Sequence, residues 1–170
     1  MKKILILFSA IGMLSLTGCN NDDDIMVDNT VIDTRNESFE IGPVTFTNSI
    51  GQYRYNLSPA IDDSDTVLIY RLTSAQGEQD SWEPVPVNYK FDDGAELDYN
   101  FAFSTTNISL FLTADFDLAT EPGFALNQWF KVVILKNFDN SAGRVNLRDY
   151  NAVVRAFNVV ETNRGDNTRN

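Results

Sequence analysis

Apolar and polar residues alternate along three stretches in the middle of the chain, at residues 85–91, 97–103 and 108–112. A period of two turns one face of a strand towards a core and the other towards solvent. Two further stretches, residues 67–72 and 130–135, are apolar at nearly every position. Such runs are typical of strands that are covered on both faces. The pattern therefore predicts strands at all five places, with the last two in central positions.

Turn-forming residues separate these strands and indicate antiparallel neighbours. Asp, Gly, Ser, Asn and Pro cluster at residues 92–94, 104–107 and 121–123, where they favour tight turns. Pro84 and Pro86 lie at the start of the first alternating stretch. Because proline cannot donate to a sheet ladder, we expect this strand to be an edge strand or to contain a bulge.

The period changes near the C-terminus. Apolar residues recur there at the spacing of one helical face: Leu147, Tyr150, Val153, Val154 and Phe157. This spacing predicts an amphipathic helix over residues 147–158. Asn146 can cap the helix, and Asp149 adds negative charge in its first turn.

These elements predict a mainly β fold, an antiparallel β-sandwich with one C-terminal helix packed over an edge or an open end. A β-rich α+β arrangement is the alternative. The aromatic residues concentrate in residues 38–160, which we expect to form one domain of ordinary size. Residues 161–170 are polar and are expected to form a frayed tail.

The N-terminus follows a different pattern. Two lysines precede an apolar stretch at residues 4–16, and Gly18 and Cys19 follow it closely. The stretch is short for a bilayer span, and the order of charge, apolar segment, small residues and cysteine is that of a bacterial lipoprotein signal. We therefore expect residues 1–18 to be a signal peptide that is cleaved between Gly18 and Cys19, with lipid on Cys19. The alternatives are an ordinary secretory signal and an uncleaved membrane helix.

The acidic segment that begins at Cys19 indicates a flexible tether. Residues 19–37 are rich in Asn and Asp and contain no aromatic residue, so they bury too little apolar surface to fold alone. Removal of the signal peptide with its two lysines changes the formal net charge from −11 to −13. We expect such a domain to be repelled by nucleic acid. Two or more acyl chains on Cys19 are sufficient to anchor it to a membrane.

The residue types that the chain lacks exclude several kinds of catalytic and metal-binding site. The chain has no histidine and a single cysteine, so Ser-His-Asp and Cys-His nucleophiles, His-ligated metals and disulfides are excluded. No two glycines are spaced for a phosphate-binding or dinucleotide-binding loop. We expect no cofactor, no bound metal and no enzyme activity.

Clustered acids are the remaining candidates for catalysis or metal binding. Asp92 with Asp93, or Asp115 with Asp117, could supply the two carboxylates of a glycosidase; the alternative is that they hold turns on an acidic surface. The segment Asp62–Asp65 is rich in carboxylates, as calcium loops are, but it lacks the spacing and the distal Glu of an EF-hand loop. A solvated loop is the favoured interpretation.

Trp82 and Trp129 are candidates for an aromatic platform that binds sugars. Core or rim packing is the more usual role of tryptophan in a small β domain. Trp129 adjoins a predicted central strand, which favours packing. Trp82 is therefore the candidate ligand contact.

Six short motifs follow one another along the domain, at residues 67–72, 81–82, 96–101, 109–112, 128–133 and 149–153. Their succession resembles small lipoproteins of flavobacteria and other Bacteroidetes that are often labelled collagen-like. The collagen-like Gly-Pro stub of many such proteins is replaced here by Asn and Asp residues. The resemblance implies an envelope location and a β domain with no established activity. Asp22, Asp23 and Asp24 are also similar to the export tag that sends such lipoproteins to the cell surface.

Together these observations predict a lipid-anchored protein of the cell envelope, at the outer membrane and facing either the periplasm or the surface. We expect its domain to bind an unknown envelope or extracellular partner, or to have a structural role, without catalysis. A carbohydrate-active enzyme that uses the acidic pairs and a glycan-binding module that uses Trp82 are the alternatives.

Overall fold

The structure is a computed structural model, and it describes residues 35–73, 80–138 and 145–164. Within these ranges the chain forms nine strands: β1 Glu37–Val44, β2 Ile50–Asn56, β3 Thr66–Leu72, β4 Trp82–Val85, β5 Val87–Lys90, β6 Glu96–Phe103, β7 Asn107–Ala114, β8 Gln128–Leu135 and β9 Val160–Glu161. The helical segments of the same ranges are a 3₁₀ turn at Leu118–Thr120, a short helix α1 at Pro122–Ala125 and a helix α2 at Tyr150–Phe157.

The strands form two sheets. The five-stranded sheet has the order β4-β3-β8-β1-β9, and the four-stranded sheet has the order β2-β7-β6-β5. All neighbours are antiparallel except β1 and β9, which pair in parallel. The prediction of a mainly β, sandwich-like fold is therefore confirmed.

The core lies between the two sheets because alternate residues of each strand point inward. The largest inward side chains that are almost fully buried are Phe39, Ile41, Ile69, Leu97, Tyr99, Ile108, Leu110, Leu112, Phe130 and Ile134. At about 25 cal/mol per Å² of apolar surface removed from water, this burial is the main stabilising contribution to the fold.

The stretch predicted as a single strand at residues 85–91 is divided between the sheets. Val85 ends β4 in the five-stranded sheet, Pro86 follows, and Val87 begins β5 in the four-stranded sheet. The periodicity continues through this point because both pieces send alternate side chains into the same core. Both strands are at sheet edges, as Pro84 and Pro86 predict.

The strands predicted to be central, β3 and β8, are covered on both faces. Their inner faces contribute to the core, and their outer faces pack under α2. Tyr70, Val133 and Leu135 form a second buried cluster there with Val153 of the helix. The helix therefore lies on the outer face of the five-stranded sheet and reaches its edge strand β4, so it packs over a face and an edge of the sheet and not over an open end.

Helix α2 begins later than predicted. It runs from Tyr150 to Phe157 instead of over residues 147–158, and its N-cap is Asp149, not Asn146. A carboxylate oxygen of Asp149 accepts from Ala152 N at 3.0 Å, which satisfies one of the free N–H groups of the first turn. Asn146 holds the preceding turn instead by accepting from Arg148 N at 3.1 Å.

The folded region extends beyond residues 38–160 at both ends. Strand β1 begins at Glu37, and the Asn36 amide donates to the Phe157 carbonyl at 2.7 Å. At the other end Glu161 belongs to β9, and Arg164 forms an ion pair with Glu37 at 3.2 Å. The expected polar tail thus begins with residues that are bound to the sheet. The predicted signal peptide and most of the predicted tether lie outside the described residues.

None of the helices in the described ranges has the length and apolar character that crossing a bilayer requires.

Candidate functional site

A charged side chain is buried at one end of the sandwich. Arg71 lies near the end of β3, on the same inward face as Val67 and Ile69, and only 6% of it is exposed. A guanidinium stays protonated in proteins, so its charge must be compensated where it is buried. The groups that surround Arg71 therefore compensate its charge.

Three aromatic rings surround the guanidinium. Its carbon lies 4.8 Å from the ring centroid of Tyr99, 5.2 Å from that of Phe124 and 5.7 Å from that of Tyr89. Aromatic faces carry partial negative charge and attract a cation at these distances. Tyr89 and Tyr99 come from β5 and β6 of the four-stranded sheet and Phe124 from α1, whereas Arg71 belongs to the five-stranded sheet.

Hydrogen bonds fix the plane of the guanidinium. Nε donates to Gln128 Oε1 at 2.9 Å, Nη1 to the Tyr89 hydroxyl at 3.0 Å, and Nη2 to the Gly123 carbonyl at 3.4 Å. Gln128 is itself held, since its amide donates to Gly123 O at 2.9 Å and to Leu126 O at 2.6 Å. A guanidinium has five N–H donors. Three have acceptors at these distances, and a further side-chain hydrogen bond joins Arg71 to the Tyr99 hydroxyl and opposes the effect of burial on the pKa of Tyr99. Within the part of the chain that the structure describes, one N–H on a terminal nitrogen is therefore left for a ligand.

A carboxylate completes the network. Glu83 is the register partner of Arg71 across β3 and β4, and it accepts a hydrogen bond from the Tyr89 hydroxyl. Burial raises the pKa of Tyr89 to about 12, and the bond to Glu83 acts in the same direction, whereas the Arg71 charge opposes both. Tyr89 therefore stays protonated at neutral pH. Its hydroxyl links the two charged side chains, because it accepts a hydrogen bond from Arg71 and donates one to Glu83.

These residues line a cavity of about 550 Å³, within the range of small-molecule sites. Its lining consists of Arg71, Thr73, Ser81, Glu83, Tyr89, Gly123 and Phe124. Of these residues Arg71 is buried, whereas Thr73 and Ser81 are exposed and form the rim. The cavity thus has a hydrogen-bond donor in Arg71, an acceptor in Glu83 and an aromatic surface in Tyr89 and Phe124.

Two tyrosines beside Arg71 and a third, Tyr70, under α2 give a prediction for alkaline titration. Burial raises the pKa of Tyr70 and Tyr99 as well as that of Tyr89, whereas tyrosines of an unfolded chain titrate near pH 10. We expect all three to remain protonated at about pH 11 in the native protein. Because their folded pKa values are raised, the stability they contribute is complete below about pH 10 and is lost as the pH rises through their folded pKa values.

Tyrosinate absorbance measures this difference. The chain has six tyrosines, and we expect Tyr89→Phe to remove one tyrosine from the late part of the native titration curve. Glu83→Gln should lower the pKa of Tyr89 and so shift its titration to lower pH, because it removes the carboxylate that favours the protonated form of the Tyr89 hydroxyl. A native curve that superimposes on the curve in denaturant would contradict the assigned burial.

The acids proposed as glycosidase pairs lie at strand ends. Asp92 and Asp93 are exposed in the turn after β5, and Asp93 accepts from Ala95 N at 3.0 Å. Asp115 accepts from the backbone N–H of the first residue of β6 at 2.9 Å, and Asp117 caps the 3₁₀ turn. Asp92 and Asp93 also line a second cavity of about 270 Å³, together with Phe91, Ala95, Phe116, Thr120 and Glu121.

The acidic loop at Asp62–Asp65 is held by its own hydrogen bonds. Asp62 accepts from the backbone N–H and the hydroxyl of Ser64 at 3.0 and 2.8 Å, and these bonds lower the pKa of its carboxyl. Asp65 is buried and forms an ion pair with Lys136 at 2.8 Å. Across the described ranges no group of three acidic side chains is arranged to hold a metal ion.

Both tryptophans lie on the outer side of the five-stranded sheet. The Trp82 ring is half-buried, with its centroid 6.1 Å from that of Tyr150 on α2 and 5.1 Å from the ammonium of Lys131. The Trp129 ring covers the backbone at Gly42, where an added Cβ would be 2.7 Å from it. Trp82, the predicted ligand contact, is therefore packed under the helix, on the opposite face of its strand from Glu83.

Arg71, Glu83 and Tyr89 were not predicted from the sequence as site residues. A signal for Arg71 was present, because it is the only charged residue in the apolar run at residues 67–72. The residues predicted for lipidation and export, Gly18, Cys19 and Asp22–Asp24, lie outside the described residues.

No protein-family model, no curated protein and no solved structure matches this chain.

Proposed function

We propose that this chain is a lipid-anchored binding protein of the bacterial cell envelope, and that its ligand occupies the cavity at Arg71. The observation that carries the proposal is a buried guanidinium that lines a cavity of about 550 Å³ and, among the described residues, has one donor left for a ligand. The anchor is Cys19, and the acidic segment that follows it is the tether. The outer membrane is the proposed membrane, and Asp22–Asp24 favour its outer surface.

The residues of the cavity suit binding rather than catalysis. A guanidinium stays protonated at neutral pH and cannot act as a general base, and the Tyr89 hydroxyl, with a pKa of about 12, is a weak acid that keeps its proton. The guanidinium is fixed by Gln128 and Gly123 before any ligand arrives. Donors that are already oriented bind without a further loss of side-chain entropy.

The anchor is tested by lipid labelling of intact cells. We expect wild type and Gly18→Ala, which keeps a small residue before the cysteine, to incorporate labelled acyl chains, and Cys19→Ala to incorporate none. Protease added to whole cells should degrade the domain if it faces outward and spare it if it faces the periplasm. A Cys19→Ala variant that remains labelled and bound to membrane would overturn the lipoprotein assignment.

The cavity is tested by a ligand-observed NMR screen of small polar fragments, followed by mapping of the bound hits. We expect hits to shift the Arg71 Nε–H signal and the Gly123 amide, and to weaken in Arg71→Lys, which removes the planar fork. Arg54→Lys is a matched control, because Arg54 is exposed on β2. Hits that bind elsewhere, or bind Arg71→Lys and wild type equally, would refute the proposal.

A further inference from the structure

We infer that the ligand of the Arg71 cavity is a neutral sugar residue, held through adjacent hydroxyl groups between Arg71 and Glu83. This inference rests on the proposed function, since it assumes that the cavity binds a ligand. It adds the chemical class of that ligand, and it follows from the two opposite charges, the aromatic wall and the rim hydroxyls.

Opposite charges in one cavity disfavour a ligand with a single charge. An anion that bonded to Arg71 would approach the carboxylate of Glu83, which the Tyr89 hydroxyl links to the guanidinium. A cation that bonded to Glu83 would approach the guanidinium. The formal net charge of −11 further disfavours the approach of anions. The cavity therefore fits a ligand that is neutral overall.

A hydroxyl group uses both charges at once. It can accept from a free N–H of Arg71 and donate to the Glu83 carboxylate, because a hydroxyl is both donor and acceptor. Within the described residues, Glu83 Oε2 accepts from Tyr89, which leaves Oε1 for a ligand. Bonds to charged partners are the stronger class of hydrogen bond. Two adjacent hydroxyls of a sugar ring would satisfy both Arg71 and Glu83.

A zwitterion, such as a free amino acid, is also neutral overall, but it fits less well. Its ammonium and carboxylate must both lose water on entering, and the desolvation of full charges opposes binding far more than that of hydroxyls. The Arg71 charge is already compensated by three aromatic rings and, through Tyr89, by Glu83. A charged ligand therefore gains less here than in a site with an uncompensated charge.

The walls of the cavity match the two sides of a sugar ring. Phe124 and Tyr89 form an apolar wall in which the two rings meet edge to face, with centroids 4.9 Å apart and planes at 64°, so that a sugar face would lie on one of the two rings. Arg71 and Glu83 form a polar wall, and Thr73 and Ser81 extend it to the exposed rim. A pyranose has C–H groups on its faces and hydroxyls around its edge, so its face can lie on the aromatic wall while its edge meets the polar groups.

The experiment is calorimetric titration of the full chain, in a detergent without a sugar headgroup, with three matched probe sets. The sets are neutral mono- and disaccharides, the corresponding uronic acids, and free amino acids. We expect a subset of the neutral sugars to bind with Kd values at or below about 1 mM, and the uronic acids to bind more weakly than their neutral counterparts.

Variants at Arg71 and Glu83 test whether these two side chains bind the sugar. We expect Glu83→Gln and Arg71→Lys each to weaken sugar binding about tenfold or more, the loss that accompanies one charge-assisted hydrogen bond. Glu83→Gln preserves side-chain shape and guards against a folding defect in Arg71→Lys. Asp98→Asn is the control, because Asp98 is exposed on β6, and it should bind as wild type does.

The outcomes separate this inference from the proposed function. If only amino acids or uronic acids bind, and Glu83→Gln or Arg71→Lys abolishes that binding, the sugar inference fails and the cavity remains a binding site. If no neutral sugar binds at about 10 mM, or if binding is the same in all variants, the inference is overturned.

Discussion

Phe130→Ala is expected to lower the free energy of unfolding by about 3–5 kcal/mol, the range for truncating a fully buried aromatic residue. Phe130 lies on β8, the middle strand of the five-stranded sheet, and its side chain points into the core with 1% of the residue exposed. Its ring centroid is 6.0 Å from that of Tyr99. Because both sheets are fixed around it, the cavity left by truncation cannot close.

Phe103→Ala is the matched control for this change. It removes the same atoms from the end of β6, where the side chain is 44% exposed and stacks on Phe101. We expect it to lower the unfolding free energy by less than about 1 kcal/mol. Urea denaturation of both variants measures the difference. Equal losses at the two positions would show that the buried core is not where the structure places it.

Phe130→Ala should also affect the Arg71 cavity. Tyr99 packs on Phe130 on one side and faces the guanidinium of Arg71 on the other. Loss of the Phe130 ring therefore removes support from one of the three rings that hold Arg71. Tyr99 therefore connects the packing of the core to the position of Arg71 in the cavity.

Gly42→Ala is expected to lower the free energy of unfolding by about 1–3 kcal/mol, the usual result of forcing extra volume into a packed site. An ideal Cβ at Gly42 would lie 2.7 Å from two atoms of the Trp129 ring and 3.0 Å from the Gln128 carbonyl oxygen. Either the indole or the ladder between β1 and β8 must move. Glycine is required at this position because the ring lies directly on the backbone.

Gly123→Ala is the control, because a Cβ there has no atom within 4 Å. Alanine favours the short helix α1 that contains it, so we expect a change within about 0.5 kcal/mol of zero. Trp129→Phe should remove the part of the penalty that comes from the indole, since phenylalanine lacks the second ring, whereas the part from the Gln128 carbonyl and from the backbone φ of +158° at Gly42 remains. A double-mutant cycle in denaturant measures this coupling. If the two glycine variants lose the same stability, or the cycle is additive, the close contact is refuted.

The strands were predictable where periodicity was strong. The alternation at residues 97–103 and 108–112 corresponds to β6 and β7, and the apolar runs correspond to the central strands β8 and β3. A strand that contributes one face to a core must alternate, and a strand covered on both faces must be apolar throughout. These constraints are local, so they are visible in the sequence.

Strands β1 and β2 were missed. In β1 the pattern is interrupted by Gly42 and Pro43, and its register against β8 shifts between Ile41 and Val44. In β2 only Tyr53 and Tyr55 mark the inner face. The position of α2 was also beyond prediction, because an apolar helical face does not indicate which sheet surface will cover it.

The class of the fold could be predicted from the amino-acid sequence, because the period of hydrophobic residues reflects which faces are buried. The sequence also excluded histidine, thiol and disulfide chemistry in the domain, because those residue types are absent. The candidate site, in contrast, became visible only in the folded structure. Arg71, Glu83 and Tyr89 come from three strands in two different sheets, and Phe124 comes from α1. Their proximity depends on how the sheets pack and where the chain crosses at Pro86, and no local pattern encodes either one.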